Sequence, residues 1–133
     1  EKDYLLKVIS LMKGRVSTGK EFIEFTDYFF NDPEEFNQKS MKKRWNENSP
    51  QLVEGYLSVL VSQKNPFIAK NLENTLRQFA KEKNISAGDI IHPLRIAITG
   101  AGVSPGIFEI LEIMGKEKVC NRIKTSLEKI VKS

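Results

Sequence analysis

The chain has 133 residues, with 21 Lys and Arg against 17 Asp and Glu, a net charge of +4, 40% hydrophobic and 29% charged residues. That length suits one domain or two small subdomains sharing a core, the excess charge favours a polyanionic partner only mildly, and no apolar run approaches the roughly 18 residues of a membrane span. One cysteine and one histidine can form neither an internal disulfide nor a Cys/His zinc cage, and a lone thiol fits a reducing cytosol.

Along the chain the apolar residues recur at helical spacing. Leu5, Val8, Ile9 and Met12 make a first helical face, with Gly14 as its stop. The polar start Glu1-Lys2-Asp3-Tyr4 is no secretory leader, and a first residue other than Met suggests a piece of a longer polypeptide. Phe22, Ile23, Phe25, Phe29 and Phe30 form an aromatic-rich second helix that ends at Asn31-Asp32-Pro33. From Glu34 to Asn46 apolar residues are sparse, and the segment reads as a short helix or a loop.

Ser49-Pro50 starts the next helix with proline in its first turn. Its face is Leu52, Val53, Tyr56, Leu57, Leu60 and Val61. Asn65-Pro66 is expected to start another in the same way, with Ile68, Leu72, Leu76 and Phe79 inward and Asn84 closing it. Ser86 and Asp89 have capping-box spacing and open a helix that carries Pro93 and Arg95. Proline inside a helix removes a hydrogen bond, so a bend or restart is expected there. Ser104-Pro105 should open a short helix with Ile107, Ile110, Leu111 and Met114, closed by Gly115. The last helix repeats Val119, Ile123, Leu127 and Ile130. The expected core includes Leu72, Leu76, Phe79, Ile96, Phe108, Leu111, Ile123 and Leu127. The prediction is an all-α helical bundle of about seven helices in two small packed subdomains, residues 1–45 and 46–133.

No nucleophile–base pair, Walker A loop, zinc spacing or dinucleotide fingerprint is visible. His92 reads as a helix-surface or half-buried residue with no partners for acid–base work. The informative stretch is His92 to Glu109, HPLRIAITGAGVSPGIFE. An arginine sits among small and apolar residues, followed by the turn Thr99-Gly100-Ala101-Gly102 and then by Ser104-Pro105. Glycines allow close backbone approach, a helix N-terminus offers N–H groups, and an arginine can pair bidentately with a phosphate or base edge. By pattern alone, Arg95 is a surface arginine able to pair with Asp89 or Glu109. Lys42-Lys43-Arg44-Trp45 is either a phosphate- or base-contacting run or a solvated face whose ring covers core. Lys116, Lys118, Arg122 and Lys124 read mainly as solubility plus weak phosphate attraction, and Cys120 as a small core residue.

The pattern P-L-R-small-A-apolar-T-G, then S-P-G-apolar-F-E-apolar-L, resembles the C-terminal anticodon-binding region of bacterial-type glutamyl-tRNA synthetases. The continuation IMGKEKVCNRI is similar to the segment leading into that family's last helix. LMKGRVSTGKEF matches its first arginine segment more loosely, and an ordinary surface arginine remains the alternative there. The resemblance implies that Arg95 reads the middle anticodon base and Arg15 the third, and that Ser104, Pro105 and Ile107 contact anticodon bases. Lys42, Lys43, Arg44 and Lys116 are candidate phosphate contacts. It further implies a parent glutamate–tRNA ligase using ATP and Mg²⁺, whose catalytic domain lies outside this chain, with no catalytic, metal or cofactor residue among these 133 and no activity in the piece alone. The expected partner is the tRNA anticodon loop rather than DNA or a membrane, for a cytoplasmic monomer. The alternative from another class is a helix-turn-helix-like DNA-binding or protein-interaction domain built on the two helices that meet at Gly115.

Overall fold

The computed structural model describes residues 2–13, 27–102 and 104–132. Its helices are α1 (Lys2–Met12), α2 (Gln38–Arg44), α3 (Ser49–Ser62), α4 (Ala69–Lys83), α5 (Gly88–Thr99), α6 (Ile107–Met114) and α7 (Lys116–Lys132). A further helical turn covers residues 27–30, and no strand occurs among the described residues. The all-α expectation holds. The aromatic-rich stretch at Phe22–Phe25, together with Gly14 and Arg15, lies outside the described residues.

The local signals explain most boundaries. Pro50 stands in the first turn of α3, and Asn84 closes α4 in the left-handed conformation at φ 63°. The carboxylate of Asp89 accepts the Ser86 N–H at 3.2 Å, the acidic half of the expected capping box. Asn37 caps α2 by accepting the Ser40 N–H at 2.9 Å. Two proline starts differ from expectation. α4 begins at Ala69 rather than at Pro66, and its first N–H donates to the Glu112 carboxylate on α6 at 2.7 Å. That cap comes from a residue distant in sequence and leaves no local signature. α6 begins at Ile107, with Gly106 before it, because the Ser104 hydroxyl is engaged elsewhere. No restart occurs at Pro93: α5 runs as one helix from Gly88 to Thr99 with the proline buried inside it.

α7 is the central packing element. It lies against α3, α5 and α6, while α3 also packs on α4 and α5, α2 on α5, α4 on α6, and α1 on α6. The shared core joins Val53, Tyr56 and Leu60 of α3 to Leu72 and Leu76 of α4, Ile90, Leu94 and Ile98 of α5, Ile110 and Leu111 of α6, and Val119 and Ile123 of α7. Leu72, Leu76, Phe79, Ile96, Leu111 and Ile123 are buried as expected, and so is Cys120, whereas Phe108 and Leu127 only pack against the core's margin. Leu5 and Ile9, expected inward on α1, are 42% and 40% exposed, and its buried face is Val8, Leu11 and Met12.

The largest departure from expectation is Arg122, read as a solubilising cation and found 2% exposed. Its Nε donates to Asp32 Oδ1 at 3.1 Å. Its Nη1 donates to the carbonyls of Tyr28 and, at 3.1 Å, Ile98. Burial lowers its basicity while Asp32 raises it. Helical periodicity explains the placement, because Arg122 and Ser126 fall between Val119, Ile123 and Ile130 on the inward stripe. Ser126 Oγ donates to the Ala97 carbonyl at 2.6 Å. α7 therefore satisfies two carbonyls in the last turn of α5, where intrahelical partners run out.

Two outcomes follow for thermal or denaturant unfolding. Leu111→Ala should cost about 2–5 kcal/mol, and Leu127→Ala clearly less, because only the first leaves a buried cavity. Arg122→Ala should cost about 3–5 kcal/mol by stranding buried carbonyls, with Arg122→Lys recovering only part since an ammonium lacks the planar fork.

Candidate RNA-binding surface

The candidate site grows from the C-terminal end of α5. Gly100 closes the helix at φ 76°, a left-handed conformation that glycine adopts without strain. Thr99 Oγ1 donates to the Arg95 carbonyl at 2.8 Å and accepts the Ala101 N–H at 3.0 Å, which fixes the turn. The glycines were expected to admit a nucleotide, but what they approach is the protein's own chain. A Cβ on Gly100 would sit 2.7 Å from the Glu35 carbonyl oxygen, and one on Gly102 1.8 Å from Ser40 Oγ. The Gly100 carbonyl accepts the Asn37 N–H at 2.8 Å. This joint fastens the N-terminal end of α2 to the end of α5.

The turn brings Arg95 and Ser104 together. Arg95 Nε donates to Ser104 Oγ at 3.0 Å, and that hydroxyl donates to the Pro105 carbonyl at 2.8 Å. Both side chains are half-buried, as is Pro105. Burial lowers the basicity of Arg95 but leaves it charged at neutral pH. Its terminal nitrogens make no hydrogen bond among the described residues, so donors of the fork are unused there. Beside it, the Tyr28 hydroxyl is buried without a partner among the described residues, and burial pushes its pKa up to about 12 against the pull of Arg95.

Lys42, Lys43 and Arg44 form the exposed last turn of α2, where cations suit the negative end of a helix. Trp45 closes that helix and packs its ring against the core, as the solvated-face reading expected of it. α2 packs on α5, and the charges of Arg44, Arg95 and Lys43 all act on His92. The half-buried imidazole of His92 is held below the usual histidine value by burial first and then by Arg44, Arg95 and Lys43, with only Asp89 opposing them. His92 was read as a helix-surface or partly buried residue, and it is half-buried on α5, one helical turn from Arg95.

The other expected residues fall differently. Ile107 is 3% exposed, so its side chain belongs to the core and only the helix start faces outward. The ammonium of Lys116 donates to the Gln63 carbonyl at 3.2 Å, at the end of α3, and is not brought to the Arg95 cluster. Lys118 donates to the Phe29 carbonyl at 3.0 Å and lies over the Tyr4 ring, a structural role rather than a solvated one. Arg15 lies outside the described residues. Among the described residues no three His, Cys, Asp or Glu side chains converge to fit a metal ion.

A family model described as an anticodon binding domain matches residues 1–127. The chain belongs to that family. It is 39% identical over 128 residues to a glutamate–tRNA ligase of Chlorobaculum parvum, covering 96% of this chain and 25% of the relative. It is also 39% identical over 125 residues to the same ligase of Chlorobium chlorochromatii, covering 94% of this chain and 25% of that protein. Among solved structures, a glutamate tRNA ligase from Elizabethkingia meningosepticum in complex with its amino acid superposes with a TM-score of 0.86 at 28% identity, over 96% of this chain and 25% of that one. The anticodon-binding domain thus spans about a quarter of the length of the relatives it matches. The helix-turn-helix alternative is not favoured, and the burial of Arg122 removes a cation that α7 would need in a DNA groove.

One consequence is testable on the joint itself. Gly100→Ala should lower stability by about 2 kcal/mol or more, since left-handed backbone strain adds to a backbone contact that cannot yield. Gly102→Ala should cost less, because its main obstacle is a serine side chain.

Proposed function

We propose that this domain reads the anticodon loop of a glutamate-accepting tRNA for a ligase that activates glutamate with ATP and Mg²⁺ and transfers it to that tRNA. The observation that carries the reading is the Arg95 guanidinium tethered through Nε to Ser104, on a helix against which α2 packs with its exposed Lys43 and Arg44. Single-stranded loops are read by splaying bases and hydrogen-bonding their edges, with phosphate contacts setting position. In this division of labour Arg95, Ser104 and Pro105 face the bases, joined by Arg15 and by the backbone at Ile107. Lys42, Lys43 and Arg44 hold phosphates, and Lys116 has at most a peripheral share.

The family match accounts for residues 1–127 of 133, which leaves no room here for a nucleotide-binding catalytic domain. The ATP and Mg²⁺ site therefore belongs to the remaining three-quarters of such a ligase, and the 133 residues alone should show no glutamate-dependent pyrophosphate exchange. A cytosolic, monomeric enzyme without DNA affinity fits the same reading, as does the division into residues 1–45 and 46–133.

The test uses the full-length protein with tRNAs substituted at each anticodon position. Arg95→Ala should remove about 1–3 kcal/mol of discrimination at one position, the usual worth of a bidentate pair as measured in DNA complexes. Lys43 and Arg44 variants should weaken all tRNAs evenly and flatten the salt dependence. Equal losses for every tRNA with Arg95→Ala would make it a phosphate clamp, and a DNA duplex competing as well as tRNA would overturn the reading.

A further inference from the structure

We infer that the outer face of α1, formed by Leu5, Leu6 and Ile9 with Phe30 beside it, is the seat on which the preceding part of the same polypeptide packs in a full-length ligase. The inference rests on the ligase reading above and adds to it an interface with named residues. Six large apolar side chains are exposed among the described residues, and four of them are these, each between 40% and 55% exposed. Exposed apolar residues scattered singly need no explanation, but a cluster marks a contact. Leu5 and Ile9 stand one turn apart, and Leu6 adjoins them. Val8, Leu11 and Met12 turn the other way, into the core. α1 is therefore apolar on two faces, the pattern of a helix held between two bodies. Its polar flank, with Lys7 and Ser10, borders a cavity shared with Glu109, Glu112 and Ile113 of α6.

This face is fixed by the domain itself. The Tyr4 hydroxyl donates to the Phe29 carbonyl at 2.5 Å. The Tyr4 ring stands edge-on to Phe30, with centroids 5.5 Å apart, and the Lys118 ammonium lies 4.4 Å from its centre. α1 packs on α6 as well. What covers the outer face follows from connectivity. The matched relatives are glutamate–tRNA ligases of which this domain spans 25%, as their C-terminal region. In such a ligase the polypeptide reaches the domain through α1, so the other three-quarters are tethered at this helix. A tether supplies a high effective concentration, so an apolar contact closes within one molecule ahead of any contact between two. Exposed Lys2 and Lys13 stand at the two ends of the face, so the surface that meets it is apolar with acidic groups on its rim. Val61 and Ile68, the other two exposed large apolar residues, lie on α3 and at the start of α4, far along the chain from that junction.

The experiment puts the photocrosslinker p-benzoylphenylalanine in place of Leu6 in the full-length protein, and in place of Val61 for comparison. Irradiation should join the Leu6 position, within one molecule, to peptides on the N-terminal side of this domain, and the Val61 position to none of them. Leu6→Asp combined with Ile9→Asp should part the two bodies. The full-length protein should then show a larger radius of gyration in solution scattering and several-fold faster proteolysis ahead of α1, at unchanged helical content. Leu6→Met, which keeps an apolar side chain, and Val61→Asp should leave both readouts as in wild type. If the aspartate pair does not fold, the crosslinks alone decide. Crosslinks from the Leu6 position confined to these 133 residues, crosslinks between two copies, or none would overturn the inference. So would wild-type scattering and proteolysis from a folded aspartate pair. Charging of a glutamate-accepting tRNA by the wild-type preparation reports on the underlying reading. If it charges that tRNA and the Leu6 position reaches no preceding peptide, the interface is wrong and the ligase reading stands. If it charges none while the crosslinks are as expected, the ligase reading is wrong and the interface stands.

Discussion

A buried guanidinium organises this domain. Arg122 projects from α7 into a site where it is 2% exposed and meets Asp32 and the carbonyls of Tyr28 and Ile98. Two of these partners lie 90 and 94 residues before it and the third 24, so one side chain ties three segments together. Desolvating such a cation is expensive, and it persists only because the surrounding acceptors are fixed in place. The bond to Ile98 occupies a carbonyl in the last turn of α5, and Ser126 occupies the neighbouring one on Ala97. The helix that carries Arg95 is thereby anchored at the end nearest the candidate surface.

The surface inherits its geometry from that anchor. Asp32, held by Arg122, leads into Pro33–Glu35, and this segment is what Gly100 packs against. Asn37 then donates to the Gly100 carbonyl and caps α2 with its side chain. α2 runs on to carry Lys42, Lys43 and Arg44 in its exposed last turn. The contiguous run Lys42–Arg44 and the distant Arg95 thus stand on two helices that pack together. The serine that local rules assign to a helix cap is drawn to Arg95 instead, and α6 starts two residues later than its proline suggests.

Much of the fold was legible because helical periodicity is a local property. The inward faces of α3 and α4, apart from the exposed Val61 and Ile68, the Asn84 stop and the glycine after Thr99 followed from spacing and capping chemistry alone. What escaped was non-local. The cap on Ala69 comes from Glu112, and the partners of Arg122 lie in distant segments. An amphipathic stripe read only from apolar letters also misses a polar side chain standing within it, which is how Arg122 and Ser126 were passed over. At the candidate site the motif that drew attention to Arg95 and Ser104 gave the pair that the structure brings within 3.0 Å. The run Lys42–Arg44 was also named from sequence as a candidate phosphate contact, but nothing hinted that the Ile107 side chain would point into the core.

The most direct test of the account is site-specific photocrosslinking from 4-thiouridine placed in the anticodon loop of a bound tRNA to the full-length protein. The account predicts crosslinked peptides from the His92–Ile107 stretch and from the last turn of α2. Crosslinks confined to α1 or to the outer face of α7, with the Arg95–Ser104 turn untouched, would contradict it.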